Sequence, residues 1–290
     1  MAAAEYWFDS HDGLRLFSRV YRADDASAPV LLCLHGLMRN SRDFESLALH
    51  LAGRCRVIAP DVRGRGLSAR DPDYRNYQIP VYLRDLLALL AGLGVARVTI
   101  IGTSMGGLMA MALAATQPRL IAGIVLNDVG PELDRQGLER IRGYAGRSTA
   151  VGTWPEAVAH VRAIYEPVWP GLSEARWEEI ARLSYRADAA GAPVADADPL
   201  IGELLRDTSV AAADLWPLWG LLVKVPVLAI RGEQSDILSE ATLARMRRDK
   251  ADLATLTVAN RGHAPLLDEP ECRTAIDAFL AAIAPGAAAR

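Results

Sequence analysis

The feature that most constrains this chain is a serine wedged between a strand and a helix. Val98-Thr99-Ile100-Ile101 is short and β-branched, as a strand buried within a parallel sheet should be, and it runs directly into Gly102-Thr103-Ser104-Met105-Gly106-Gly107. The segment that follows, Leu108-Met109-Ala110-Met111-Ala112-Leu113-Ala114-Ala115, consists largely of strong helix formers and is closed by Pro118. A strand and a helix that pass this closely have no room for Cβ atoms where they cross, and glycines stand two positions before and two after the serine. The G-x-S-x-G pattern alone fits any glycine-rich turn. Its strand-to-helix context makes Ser104 a candidate nucleophile, held in a strained backbone conformation at a sharp bend.

The rest of the chain repeats that alternation. Tyr6 to Asp9 and Leu14 to Tyr21 flank the hairpin signal Asp12-Gly13. Strands are predicted at Pro29 to Leu34, Arg56 to Ala59, Ile121 to Asn127, Pro226 to Ile230 and Leu253 to Val258. Helices are predicted at Phe44 to Leu51, at Ile79 to Leu93, with Leu83, Leu86, Leu87 and Leu90 on one face, and at Pro270 to Ile283. The expected class is α/β, with a doubly wound, mostly parallel sheet.

The rhythm breaks between about Val129 and Leu222, where helical patterns replace buried strands. All but one of the six tryptophans fall there: Trp154, Trp169, Trp177, Trp216 and Trp219. Singly, each tryptophan fits the core of a small subdomain; together they suggest a helical lid over an apolar pocket, with Trp154 and Trp216 as candidate substrate contacts. The expected organisation is a core of residues 1–128 and 223–290 and a helical cap of residues 129–222. The small-residue tail from Ala284 is expected to fray.

Composition removes several function classes. With 290 residues, 51% of them hydrophobic, the chain can bury one large α/β core with an insertion. Its net charge is −3 and no Lys/Arg run tracks a phosphate backbone, so nucleic acid is not an expected partner. Cys33, Cys55 and Cys272 are odd in number, and the first two lie in or beside apolar runs, which argues against a disulfide framework. The glycine-punctuated loop Asp61 to Ser68 is no G-x-G-x-x-G leading a helix, and the acidic partner of a dinucleotide site is missing. No cofactor and no metal are expected. Glu5 and Asp9 interrupt the N-terminal segment, which has no basic start, and no apolar stretch reaches the ~18 residues of a membrane span. The expectation is a cytoplasmic protein with no membrane partner; oligomeric state has no signal in the sequence.

A serine hydroxyl is a poor nucleophile near neutral pH and needs a histidine to take its proton, usually with an acid to hold that histidine's tautomer. His263, in the loop after the last strand, and Asp236, in the loop after the strand before it, would share the carboxyl edge of a parallel sheet with Ser104. His35 is the rival histidine, although its place before Gly36 suits loop shaping. Asp128 also ends a strand and is the alternative acid, competing with a turn-capping role before Gly130-Pro131. Asp236 is preferred because the acid of this chain order most often follows the penultimate strand. For the oxyanion, backbone N–H groups of Met105 and Leu37 are the expected donors, with Met38 the alternative to Leu37. Arg39 is a candidate for a substrate carboxylate or carbonyl, against the plainer role of a solvated loop arginine.

The His35-Gly36 loop, Pro60-Asp61 with Arg63-Gly64-Arg65-Gly66 and Ser68, the serine elbow, Gly232 to Asp236 and Gly262-His263 together resemble the α/β-hydrolase fold superfamily over nearly the whole length. That resemblance implies an eight-stranded α/β-hydrolase sheet with a helical cap, and a Ser104, His263, Asp236 triad. It also implies an enzyme acting on a small-molecule ester or lactone through an acyl-enzyme. A C–C hydrolase of ring-fission products, an acyltransferase and a non-catalytic ligand receptor are the alternatives. Haloalkane dehalogenases and epoxide hydrolases carry aspartate at the elbow, where this chain has Ser104. Proline iminopeptidases usually follow the serine with tryptophan, where Met105 stands.

Overall fold

Glycine- and proline-bounded apolar runs become strands, and the longer amphipathic runs become helices, in the computed structural model, which describes residues 3–147, 151–206 and 214–284. In chain order the elements are β1 (Ala4–Asp9), β2 (Arg15–Tyr21), β3 (Val30–Leu34), α1 (Glu45–His50), β4 (Arg56–Asp61), α2 (Ile79–Gly92), β5 (Val98–Thr103), α3 (Met105–Thr116) and β6 (Ile121–Asn127). There follow α4 (Arg135–Tyr144), α5 (Trp154–Tyr165), α6 (Glu174–Ser184), β7 (Tyr185–Ala187), β8 (Pro193–Ala195), α7 (Ile201–Arg206) and α8 (Trp216–Leu221). β9 (Val227–Gly232), α9 (Glu240–Asp249), β10 (Ala254–Val258) and α10 (Pro270–Ile283) complete the described chain. The tail beyond Ala284 lies outside the described residues.

The main sheet has eight strands in the order β1-β2-β4-β3-β5-β6-β9-β10. β1 and β2 pair antiparallel with each other, and β2 pairs antiparallel with β4; every later pairing is parallel. Alternation along the strands fills both faces. In β5, Ile100 joins α2, α3 and α8 on one side through Leu89, Met109 and Trp219, whereas Ile101 joins α1 and α10 on the other through Leu47 and Ile276. Parallel strands covered on both faces explain why these segments read as continuous apolar runs.

The insertion between β6 and β9 has its own small core of Ala157, Val161, Trp169, Trp177 and Ile180. Two features differ from an all-helical segment. β7 and β8 form a short antiparallel hairpin, with Tyr185 opposite Ala195, too brief for alternation to register. The last helix, α8, packs with the sheet-covering layer, where Trp219 and Leu222 are buried. Among the described residues no helix is long and apolar enough to cross a membrane, and the three cysteines are free and buried.

Candidate active site

β5 delivers Ser104 to the carboxyl edge of the sheet at φ 53° and ψ −117°, a conformation that ordinary L-residues avoid. The strain is possible because the flanking glycines let the elements close on one another. A Cβ on Gly102 would lie 2.5 Å from the Gly106 carbonyl carbon, and one on Gly106 would lie 2.0 Å from the Leu34 carbonyl oxygen. Substituting either would force the elbow open.

The loop after β10 brings His263 to the serine, with Nε2 2.7 Å from Ser104 Oγ. Nδ1 lies 2.8 Å from a carboxylate oxygen, and that carboxylate belongs to Asp128. An ionised carboxylate only accepts, so the Nδ1 proton points to Asp128 and Nε2 is left to accept the serine proton. Asp128 is fully buried at positive φ (58°), directly after β6. Its Oδ1 accepts from Gly232 N–H at 2.7 Å, and its Oδ2, the oxygen that meets His263, also accepts from Ser235 Oγ at 2.6 Å.

Asp236, the acid expected from chain order, is engaged elsewhere. Arg140 of α4 grips it with two parallel hydrogen bonds, Nε to Oδ2 at 2.6 Å and Nη2 to Oδ1 at 2.8 Å. Burial pushes the Asp236 carboxyl up, but the hydrogen bonds and charge of Arg140, helped by His263, reverse this and hold it below the usual carboxylate range. The Asp236 carbonyl also accepts from Gly137 N–H, which ties the loop to the first turn of α4. The geometry therefore corrects the expected pairing: the carboxylate on the imidazole comes from the loop after β6, and the one after β9 anchors the insertion. The sequence does not single out Ser235, since a serine in a Gly-Glu-Gln-Ser-Asp loop reads as turn chemistry.

His35 is loop-shaping, as its position suggested. Its Nε2 accepts from Val62 N–H at 3.0 Å, so Nδ1 carries the proton to the Gly36 carbonyl at 2.8 Å, and burial pulls its pKa down to about 4. The neutral ring pins the turn Gly36 to Arg39, which is closed by Arg39 N–H to Gly36 O at 3.1 Å. This turn passes close to the nucleophile: a Cβ on Gly36 would lie 3.8 Å from Ser104 Cβ. Among the described residues, the N–H groups of Leu37, Met38 and Met105 have no acceptor in the protein. Met105 opens α3, where helix N–H groups are left unpaired and the dipole favours negative charge.

A cavity of about 370 Å³ lies over Ser104 and His263, lined by Leu37 and Met38 on the core side and by Ile141, Tyr144 and Tyr165 on the insertion side. Arg39 lines it as well, but its guanidinium is occupied. Asp43 takes Nε at 2.8 Å and Nη2 at 2.6 Å, Ser184 accepts from Nη1, and Tyr165 lies 5.9 Å away beneath the cation. Arg176, also on the wall, is paired with Asp268 and Glu179. Neither Trp154 nor Trp216 lines this cavity, contrary to expectation. Trp154 bonds the Gly191 carbonyl at 3.1 Å and stacks on Arg182; Trp216 bonds Glu132 at 3.1 Å and lies under Arg245. Their spacing placed them on helices but could not say which way those helices face.

A serine at a strained elbow, an imidazole within hydrogen-bond reach and free N–H groups beside it on a mostly parallel eight-stranded sheet define a class, and comparison agrees: the chain belongs to the alpha/beta hydrolase fold family, which it matches over residues 29–270. Among its relatives, a 3-hydroxybutyrate-oligomer hydrolase of Cupriavidus necator is 35% identical over 260 residues, covering 85% of this chain and 86% of that protein. A 2-(acetamidomethylene)succinate hydrolase of Mesorhizobium japonicum is 28% identical, over 83% of each chain. The crystal structure of an alpha/beta hydrolase from Novosphingobium aromaticivorans superposes with a TM-score of 0.91 at 44% identity, covering 97% of this chain and 99% of that one.

Proposed function

We propose that this protein is a serine hydrolase of small carboxylic esters, with short hydroxyacyl esters as the preferred class. The observation that carries the proposal is the unbroken chain from Ser104 Oγ through His263 to Asp128, at 2.7 and 2.8 Å. Ser104 Oγ attacks the ester carbonyl as its proton passes to His263 Nε2. The resulting oxyanion is met by the N–H groups of Met105 and of the Gly36–Arg39 turn, Leu37 or Met38. Collapse expels the alcohol, which takes the proton from Nε2, and leaves an acyl-serine. Water then attacks the acyl carbonyl, giving its proton to Nε2, which passes it to Ser104 Oγ as the acyl-serine bond breaks and the acid is released. No cofactor takes part.

The insertion acts as the cap, because its helices α4 and α5 supply Ile141, Tyr144 and Tyr165 to the cavity wall. At about 370 Å³ the cavity lies toward the small end of ligand sites, which run from about 300 to 1,000 Å³. The Cupriavidus relative, named for oligomers whose units are joined by ester bonds, favours a hydroxyacyl ester. The name of the Mesorhizobium relative implies a dicarboxylate, which fits less well because Arg39 and Arg176 are both already neutralised by carboxylates. Lactones remain within reach of the same chemistry, as do acyl acceptors other than water.

The test is turnover of 3-hydroxybutyrate dimer and of short-chain nitrophenyl esters by the wild type and by Ser104→Ala. Loss of at least about 10³-fold in kcat for Ser104→Ala, with dimer cleaved by the wild type, is expected. Equal rates in the two proteins sink the mechanism.

A further inference from the structure

The segment Arg63-Gly64-Arg65-Gly66 holds two buried arginines with opposite surroundings. Arg63 is met by three carboxylates, Asp12, Asp71 and Asp85, at 2.6 to 2.8 Å. Arg65 is 1% exposed, and among the described residues no carboxylate lies within ion-pair distance of it. A buried cation without a counter-ion is strongly disfavoured unless other groups solvate it. Here the solvating groups are the Leu37 carbonyl, accepting from Nε at 2.9 Å, the Arg63 carbonyl at 2.7 Å, the Tyr82 hydroxyl at 3.0 Å and the Met105 sulfur at 3.7 Å. The rings of Tyr77 and Tyr82 face the guanidinium, with centroids 5.5 and 5.2 Å away.

Two of those contacts belong to residues beside the nucleophile. Leu37 lies in the turn that passes over Ser104, and Met105 is the next residue after it. His35 holds one peptide of the turn by the Gly36 carbonyl; Arg65 holds the next by the Leu37 carbonyl. The same planar cation touches the Met105 side chain, so one side chain links the two segments that carry the proposed oxyanion donors. Among the described residues no carboxylate touches it; the nearest charged cluster is the one around Arg63.

We infer that Arg65 is the positioning residue of the oxyanion site: it fixes the turn of Leu37 relative to Met105, and its guanidinium, which no described carboxylate contacts, lowers the energy of the oxyanion that forms there. The inference rests on the serine-hydrolase reading above. A carboxylate beside Arg65 would satisfy the cation better but would cancel its potential at the oxyanion. An unpaired guanidinium keeps that potential in a water-poor site where it counts most. Because the charge develops in the transition state, the effect falls on kcat and not on substrate binding.

The experiment compares Arg65→Gln and Arg65→Lys with the wild type and Ser104→Ala, on one nitrophenyl ester and on a boronic acid that forms a tetrahedral adduct with the serine. Arg65→Gln should lose about 30- to 100-fold in kcat with KM within about threefold, and boronate affinity should fall in parallel. Arg65→Lys keeps the charge but not the fork and should lie between, about fivefold below the wild type. Ser104-dependent turnover in Arg65→Gln within threefold of the wild type overturns the inference alone, as does a loss appearing in KM, or Arg65→Lys falling as far as Arg65→Gln. If Arg65→Gln does not fold, a kcat of Arg65→Lys within twofold of the wild type overturns it. Turnover unaffected by Ser104→Ala removes the hydrolase reading and this inference together.

Discussion

Two aspartates stand just past the carboxyl ends of neighbouring strands, Asp128 after β6 and Asp236 in the loop after β9, and they are held in opposite ways. Asp128 is wholly buried and neutral donors, Gly232 N–H and Ser235 Oγ, orient it while its charge stays available to the imidazole. Asp236, with 18% of its side chain exposed, faces a guanidinium fork that takes both of its oxygens. A carboxylate bound by neutral hydrogen bonds can still stabilise a cation forming next to it; one already paired with arginine has much less to offer. Location at the active edge of the sheet is thus not sufficient for the role. The loop after β9 serves the site through Ser235, one residue before the aspartate expected to act.

Asp128→Asn gives the sharpest test of this contrast. It should lower kcat by about 10³- to 10⁴-fold with little change in KM, because an amide favours the wrong imidazole tautomer. If steady-state ester kinetics show that loss in Asp236→Asn instead, the two carboxylates have exchanged roles. Next in size is Ser235→Ala, which removes one of the hydrogen bonds that aim Asp128; about tenfold in kcat is expected, with Ser235→Thr restoring most of it. A Thr variant no better than Ala would mean that the hydroxyl matters only for loop shape.

The smallest kinetic effect is expected for Asp236→Asn, within about threefold in kcat, since its work is structural. Its effect belongs to stability, through the ion pair to Arg140 of α4. The folded carboxyl titrates below its unfolded value, so the stabilisation is complete above about pH 4, the ordinary carboxylate value, and is lost as pH falls through the folded value. Thermal melts should place Asp236→Asn about 2–5 °C below the wild type at pH 7, with the gap closing below about pH 4. A gap that persists unchanged to pH 3 would show that the Arg140 pair does not couple to titration of this group.

How far the site could be read before folding follows from how far apart its parts lie. Ser104 was legible because everything that defines it, the β-branched strand, the glycines and the helix formers, lies within about twenty positions. His263 was legible because few histidines follow a late strand. The acid was not, since Asp128 and Asp236 carry the same local signature, and the choice turned on Arg140, 96 positions from Asp236. Trp154 and Trp216 failed for a related reason, because helical spacing identifies an apolar face without identifying what it packs against. Arg65 stands in the segment Arg63-Gly64-Arg65-Gly66, yet nothing local distinguishes it from Arg63, which has three carboxylate partners.

The order of strands and helices, the elbow and its serine were determined by the sequence alone, because backbone conformation at glycines, β-branched runs and prolines is set by neighbours along the chain. Which carboxylate meets His263, which arginine pairs with the described carboxylates and which does not, and which tryptophans face the cavity were decided only by tertiary structure. Those outcomes depend on hydrogen bonds and burial between elements distant in sequence, and the same residue types have different energies according to what packing places beside them.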